Sequence, residues 1–213
     1  MWTAFLLLLC FVGLHAQDGR TFKDAKLTLH IHQVTSECGE SGTDCDLTTS
    51  FGFTDAHHRL RYVIRTPPQK GNVGRRFELA TRHQFSHNLP DAEFRKIEQT
   101  CADLATNSSG FHYPTYDGCF NMNIIYLESY TWWGNTGADW KAEVITAILQ
   151  FTFRDGSVSR RVVNFVPLLS CGADWVQGGG RHFLCSGKEK RPARAYLPKS
   201  STFQVGDVLV CPW

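Results

Sequence analysis

Glu143-Val144-Ile145-Thr146-Ala147-Ile148-Leu149-Gln150-Phe151-Thr152-Phe153 runs into Arg154-Asp155-Gly156-Ser157, and residues 158–166 return after it. In an extended chain, side chains point alternately to opposite faces, so Ile145, Ala147, Leu149, Phe151 and Phe153 share one face. Asp155-Gly156 is a strong short-range signal for a tight hairpin between two strands. The stretch therefore predicts two antiparallel strands with an apolar face that needs a second layer to cover it.

Working outward, the same period recurs. At residues 26–34, Leu27, Leu29 and Ile31 face one way, and Thr28, His30 and His32 face the other. Residues 47–53, 60–66 and 121–128 read as further strands, with Pro67-Pro68 ending the second of these. Residues 77–80 read as a short extended piece after Lys70-Gly71-Asn72-Val73-Gly74. One segment departs from the pattern. At residues 90–105, Phe94, Ile97, Cys101 and Leu104 recur at helical spacing, with Asp91 and Glu93 in the first turn. Many short strands, turn signals between them and one amphipathic helix predict an all-β antiparallel sandwich with a short inserted helix.

Residues 1–16 read as a leader. The apolar core of about ten residues suits a signal peptide and falls short of the roughly 20 needed to span a bilayer. Cleavage after Ala16 is expected to leave Gln17 first and to send the product out of the cell. Seven of the eight cysteines follow the leader, an odd number for an oxidising compartment. Asn107-Ser108-Ser109 is an N-glycosylation sequon and agrees with secretion. The expected organisation is a leader at 1–16, a sandwich at 17–176 with an insertion near 86–122, and a C-terminal extension at 177–213.

Composition is that of a globular chain, with 42% apolar residues, 20% charged residues and net charge +2. This argues against a disordered chain or a general nucleic-acid binder. Basic residues gather late, at Lys188, Lys190, Arg191, Arg194 and Lys199. They form either a surface for acidic lipid or glycan or a solvated tail.

Four motifs stand in a recognisable order. Gly42-Thr43-Asp44 follows the first strand. A glycine-led loop at 71–79 runs into Arg75-Arg76-Phe77-Glu78-Leu79. Gly134-Asn135-Thr136-Gly137-Ala138-Asp139-Trp140 precedes the long strand, and Phe165-Val166-Pro167 leads to Cys171 and Asp174-Trp175. In this order the chain resembles the PLAT/LH2 (lipoxygenase homology) domain over residues 26–175. It departs from that pattern at Cys45, in the helix-bearing segment, in the spacing from Pro167 to Cys171, and in the Lys141-Ala142 that follows Trp140. Gly-Ala-Asp-Trp occurs twice, at 137–140 and 172–175, but the flanks differ, so a shared turn with a packed Trp explains it better than a repeat.

The resemblance implies a β-sandwich that docks on lipid or on a protein partner, in some members with calcium at one end. Asp44 and Asp139 are the candidate calcium ligands, with Asp46 nearby. Calcium takes six to eight oxygens, so these carboxylates either begin a site or simply bond their own turn backbones. Tyr130, Trp132 and Trp133 are the candidate docking side chains, because Tyr and Trp suit the membrane interface. Alternatively, one of the two Trp caps the core and the other lies at the surface.

Sequence proximity suggests Cys38 with Cys45, Cys101 with Cys119, and Cys171 with Cys185, each bridge worth roughly 2–4 kcal/mol. Spacing does not fix connectivity. On that pairing Cys211 is left unpaired or joins two chains. His30 and His32 share a strand face, and His57-His58 falls in a turn; no third ligand accompanies either pair. The chain has no Gly-x-Ser-x-Gly elbow, His-Glu-x-x-His, phosphate-binding loop or Cys-x-x-Cys. The expected function is thus a secreted non-catalytic module that binds a lipid or membrane surface or a protein partner, with calcium as an aid. The alternatives are an extracellular disulfide-linked homodimer or matrix protein that binds protein or glycan, and a secreted hydrolase or toxin subunit.

Overall fold

The computed structural model describes residues 22–39, 41–71, 77–106, 115–130, 139–167, 170–172, 175–177, 180–186, 193–194 and 203–209. The strands are β1 (Lys26–Thr35), β2 (Asp46–Thr54), β3 (Leu60–Arg65), β4 (Arg82–Asn88), β5 (Ile124–Tyr130), β6 (Ala142–Thr152), β7 (Val158–Phe165), β8 (Arg181–Cys185) and β9 (Ala193–Arg194), and the helix α1 spans Asp91–Thr106 between β4 and β5. They form two antiparallel sheets, ordered β4-β1-β6-β7 and β3-β2-β5-β8-β9. Two antiparallel sheets face to face are the architecture that both the strand pattern and the PLAT/LH2 resemblance imply.

Alternation builds the core. Leu29, Ile31, Ala147, Leu149 and Phe151 come from the inner face of the first sheet, and Phe51, Ile64, Ile125, Leu127 and Leu184 from that of the second; all are buried. Gln33 is a buried polar residue in this layer, and its Nε2 donates to Thr49 Oγ1 across the sheets at 2.6 Å. The Asp-Gly hairpin closes as its residues predict. Gly156 takes φ +80°, its N–H donates to the Phe153 carbonyl at 3.0 Å, and the Asp155 carboxylate accepts from the Ser157 N–H at 2.9 Å.

Helix α1 buries Phe94, Ile97, Cys101 and Leu104, the four positions its spacing marks. Cys101 is joined to Cys119, which pins the helix to the segment leading into β5. Phe22, Phe94, Phe120 and Phe151 pack ring on ring there, with centroids 4.2 Å apart for Phe22–Phe151 and 6.4 Å for Phe94–Phe120. This aromatic plug closes the end of the sandwich where β1 and β5 begin.

Three expectations need correction. Residues 77–80 are a turn, with Ala80 at φ +56° and the Thr81 N–H donating to the Glu78 carbonyl at 3.1 Å; the strand comes just after, as β4. Cys38 is bonded to Cys171, not to Cys45, because the loop after β1 and the loop after β7 leave the sandwich at the same end. Cys45 is a buried thiol. Cys185 is disulfide-bonded, but not to Cys171, since it ends β8 at the opposite end of the sandwich.

The described residues after 176 join the sandwich. β8 pairs with β5, and Phe203 and Leu209 cover Leu60, Ile124, Tyr126 and Phe183 on the outer face of the second sheet. Arg65 Nη2 donates to the Phe203 carbonyl at 2.7 Å, and the Leu209 N–H to the His58 carbonyl at 2.7 Å. His57 and His58 lie in a turn, as expected, with His58 at φ +60°. Among the described residues, no helix is long and apolar enough to cross a membrane.

Candidate functional site

Antiparallel order decides what meets at each end. β1, β3, β5 and β7 finish at one end, where β2, β4, β6 and β8 start. The described ends of the four motif-bearing connections, at 36–45, 66–81, 131–141 and 166–180, therefore gather at that end, away from the aromatic plug. Motifs far apart in the chain touch there. The Thr43 N–H donates to the Phe77 carbonyl at 2.9 Å, the Lys141 N–H to the Ser41 carbonyl at 3.2 Å, and the Ser36 N–H to the Lys141 carbonyl at 2.9 Å.

The glycines of these motifs permit the approach. A Cβ on Gly42 would stand 3.0 Å from the backbone of Phe77 and Glu78, and one on Gly71 would stand 2.3 Å from the Cys45 carbonyl oxygen. The second clash is with backbone and has no flexible side chain to yield. Gly71→Ala is therefore expected to cost about 1–3 kcal/mol, the usual range for overpacking, read as a lower urea midpoint at unchanged slope.

Trp140 anchors the end from within. It is fully buried, its Nε1 donates to Thr35 Oγ1 at 3.1 Å, and Phe77 packs against it edge-on at 5.7 Å. Trp140, the last residue of the first Gly-Ala-Asp-Trp segment, bridges to Val176, which directly follows the second: the Trp140 N–H donates to the Val176 carbonyl at 2.8 Å, and the Val176 N–H to the Trp140 carbonyl at 2.7 Å. Trp175 is half-buried and donates from Nε1 to the Cys171 carbonyl at 2.7 Å. The Cys38–Cys171 bond ties the first and last of these loops, with Cα atoms 5.5 Å apart.

The sequence candidates fall at this end as follows. Asp46 opens β2 directly opposite Tyr130, which ends β5. Tyr130 is 45% exposed. Asp44 is exposed, and Asp46 and Asp139 are half-buried. Trp132 and Trp133 lie outside the described residues, but Tyr130 and Asp139, which flank their loop, both belong to this end. Asn107 and Cys211 also lie outside the described residues. His30 and His32 sit on the outer face of the first sheet, with His30 Nδ1 2.7 Å from Ser86 Oγ.

Sequence reading missed a polar group under Tyr130. The Tyr130 hydroxyl donates to the Glu128 carboxylate, whose other oxygen accepts from Arg181 Nε at 2.9 Å. This hydrogen bond to Glu128, with partial burial second, raises the Tyr130 phenol above its ordinary range and keeps it a neutral donor. The signal was faint, because Arg181 lies on β8, which is five residues long and did not read as a strand. Among the described residues, no three His, Cys, Asp or Glu side chains are placed to hold one metal ion. Asp44 and Asp139 alone fall short of a calcium shell.

No protein-family model matches the chain. No curated protein matches it either. Among solved structures it is similar to a coral 8R-lipoxygenase, described by calcium activation via a C2-like domain, at 17% identity and TM-score 0.40 over 82% of this chain and 18% of that one. A LOX variant solved anaerobically with arachidonate gives 16% identity and TM-score 0.39 over the same shares, 82% and 18%. An alpha toxin from Clostridium absonum gives 11% identity and TM-score 0.38 over 75% of this chain and 32% of that one. The chain thus spans less than a fifth of the lipoxygenases and about a third of the toxin. Scores this low carry no functional argument.

Proposed function

We propose that this protein is a secreted, non-catalytic module that docks on a lipid surface through the end bearing the four motif loops. The observation that carries the reading is the strand register that sets Tyr130 opposite Asp46 at this end, with the phenol ring nearly half exposed. Trp132 and Trp133 follow within three residues in the chain. Amphipathic rings grouped at a loop end suit the bilayer interface, where the ring is buried and the polar atom stays wet. The disulfides fit an oxidising compartment. Calcium assistance through Asp44 and Asp139 belongs to the same proposal but is separable from docking by the rings.

Co-sedimentation with phosphatidylcholine–phosphatidylserine vesicles tests it. The full chain is expected to pellet with the vesicles, and the paired Trp132→Ala, Trp133→Ala chain to lose most of that binding. A chelator is expected to weaken binding of the native chain and to leave an Asp44→Asn, Asp139→Asn chain unchanged. Binding indifferent to chelator would remove calcium and keep the docking surface. A native chain that stays in the supernatant on every vesicle would sink the proposal.

A further inference from the structure

Among the described residues, strand β7 is an edge of the first sheet. Its neighbour is β6, and the ladder between them runs from Val158–Thr152 to Phe165–Ile145 without a register shift. An edge strand presents unpaired backbone donors and acceptors, and natural proteins blunt such edges with bulges, Pro, short length or charged side chains, of which β7 carries Arg160 and Arg161. β7 has eight residues and no bulge, and the first Pro comes after it, at Pro167. The other edge of this sheet, β4, is Arg-His-Gln-Phe-Ser-His-Asn and has no apolar row on its outer face.

The outer face of β7 does have one. Val158, Val162 and Val166, the last directly after the strand, are 49%, 60% and 47% exposed. They recur every fourth residue, so all three point the same way. Between them stand Arg160 and Asn164, also exposed. The spacing is symmetric about Val162, and that symmetry selects the partner.

We propose that β7 pairs antiparallel with β7 of a second copy of this chain, about a two-fold axis at Val162. In this register Val162 meets its own mate. Val158 meets Val166 of the second copy, and Arg160 meets Asn164. On the other face Ser159 lies opposite Phe165 and Arg161 opposite Val163. Every exposed valine gains an apolar partner and no arginine faces another. The neighbouring two-fold registers do worse. Centring on Arg160 or Arg161 sets that arginine on its own mate, and like charges directly opposite destabilise a sheet. Centring on Val163 sets Arg160 on Val166 and Val162 on Asn164. Arg161 is already committed within its own chain, 2.5 Å from the Asp117 carboxylate. The product is one continuous eight-stranded sheet with a row of valines across the seam. This dimer needs no intermolecular disulfide and is independent of lipid docking.

Sedimentation velocity of the full, oxidised chain over a concentration series is the test. A reversible dimer is expected, with Val162→Arg shifting the chain to monomer and matching the native melting temperature at concentrations low enough for the native chain to be monomeric too, because Val162 is largely exposed in the single chain. Val162→Cys reports the register directly. Cβ atoms of directly opposed residues lie about 4.5–5.5 Å apart, within reach of a disulfide after oxidation. Arg160→Cys is expected not to cross-link, since its mate stands four residues along, roughly 13 Å away. A native chain that is monomeric throughout overturns the proposal. So does a dimer that survives Val162→Arg, a monomeric Val162→Cys chain that never cross-links, or an Arg160→Cys chain that cross-links as readily as Val162→Cys.

Discussion

Replacing Cys38 and Cys171 by serine is expected to lower stability by about 5 kcal/mol, near the top of the range for one disulfide. The bond closes a loop across a sequence separation of 133 residues, against 18 for Cys101–Cys119. In the chain-entropy picture the shorter loop gives about 3 kcal/mol, so its serine variant is expected to be the milder of the two. For a domain of this size each kcal/mol lowers Tm by about 2–4 °C, so calorimetry separates the variants. The long bridge also joins two loops of the candidate docking end. Its loss should therefore raise amide exchange at residues 36–45 and 170–177 before global unfolding, while α1 stays protected. Equal losses from the two bridges would contradict the loop-length account.

Trp140→Ala is the second large effect, with an expected cost of about 3–5 kcal/mol from truncating a fully buried large aromatic. The cavity would open between Phe77 and the loop that carries Asp139, and Thr35 Oγ1 would lose the indole donor. Trp140→Phe keeps most of the volume and is expected to cost less than half as much, read from urea midpoints. The same phenylalanine variant should bind vesicles like the native chain, because this ring is interior. That sets Trp140 apart from Trp132 and Trp133, whose removal is expected to lose most of the binding and leave the urea midpoint in place.

The parts of the fold legible in the sequence were those with a clean period. β1 and β6 alternate over ten and eleven residues, and the helix marks its buried face with four residues at helical spacing. β4 was not legible, because only His83, Phe85 and His87 face inward on an edge strand and none is fully buried. β8 is short and glycine-flanked, so its strand character comes from its pairing with β5 and not from its own residues. At the candidate site the motifs marked connections whose described residues meet at one end of the sandwich. What they lacked was long-range pairing, as the Cys38–Cys171 bond illustrates. Nearness in sequence favoured Cys45, but both loop ends emerge on the same side of the sandwich and brought Cys171 instead. The Tyr130–Glu128–Arg181 group was hidden for the same reason, since Glu128 and Arg181 are 53 positions apart in the chain.

The central claim is that the loop after β5 enters a membrane interface. Quenching of tryptophan emission by vesicles containing brominated phospholipid measures it most directly, since bromine acts only on indoles at the lipid. The native chain is expected to be quenched by brominated and not by ordinary vesicles, and the Trp132→Ala, Trp133→Ala chain to lose that difference while Trp140→Phe retains it. Vesicle-bound native protein without bromine-dependent quenching, or equal quenching of the double variant, would contradict docking through this end.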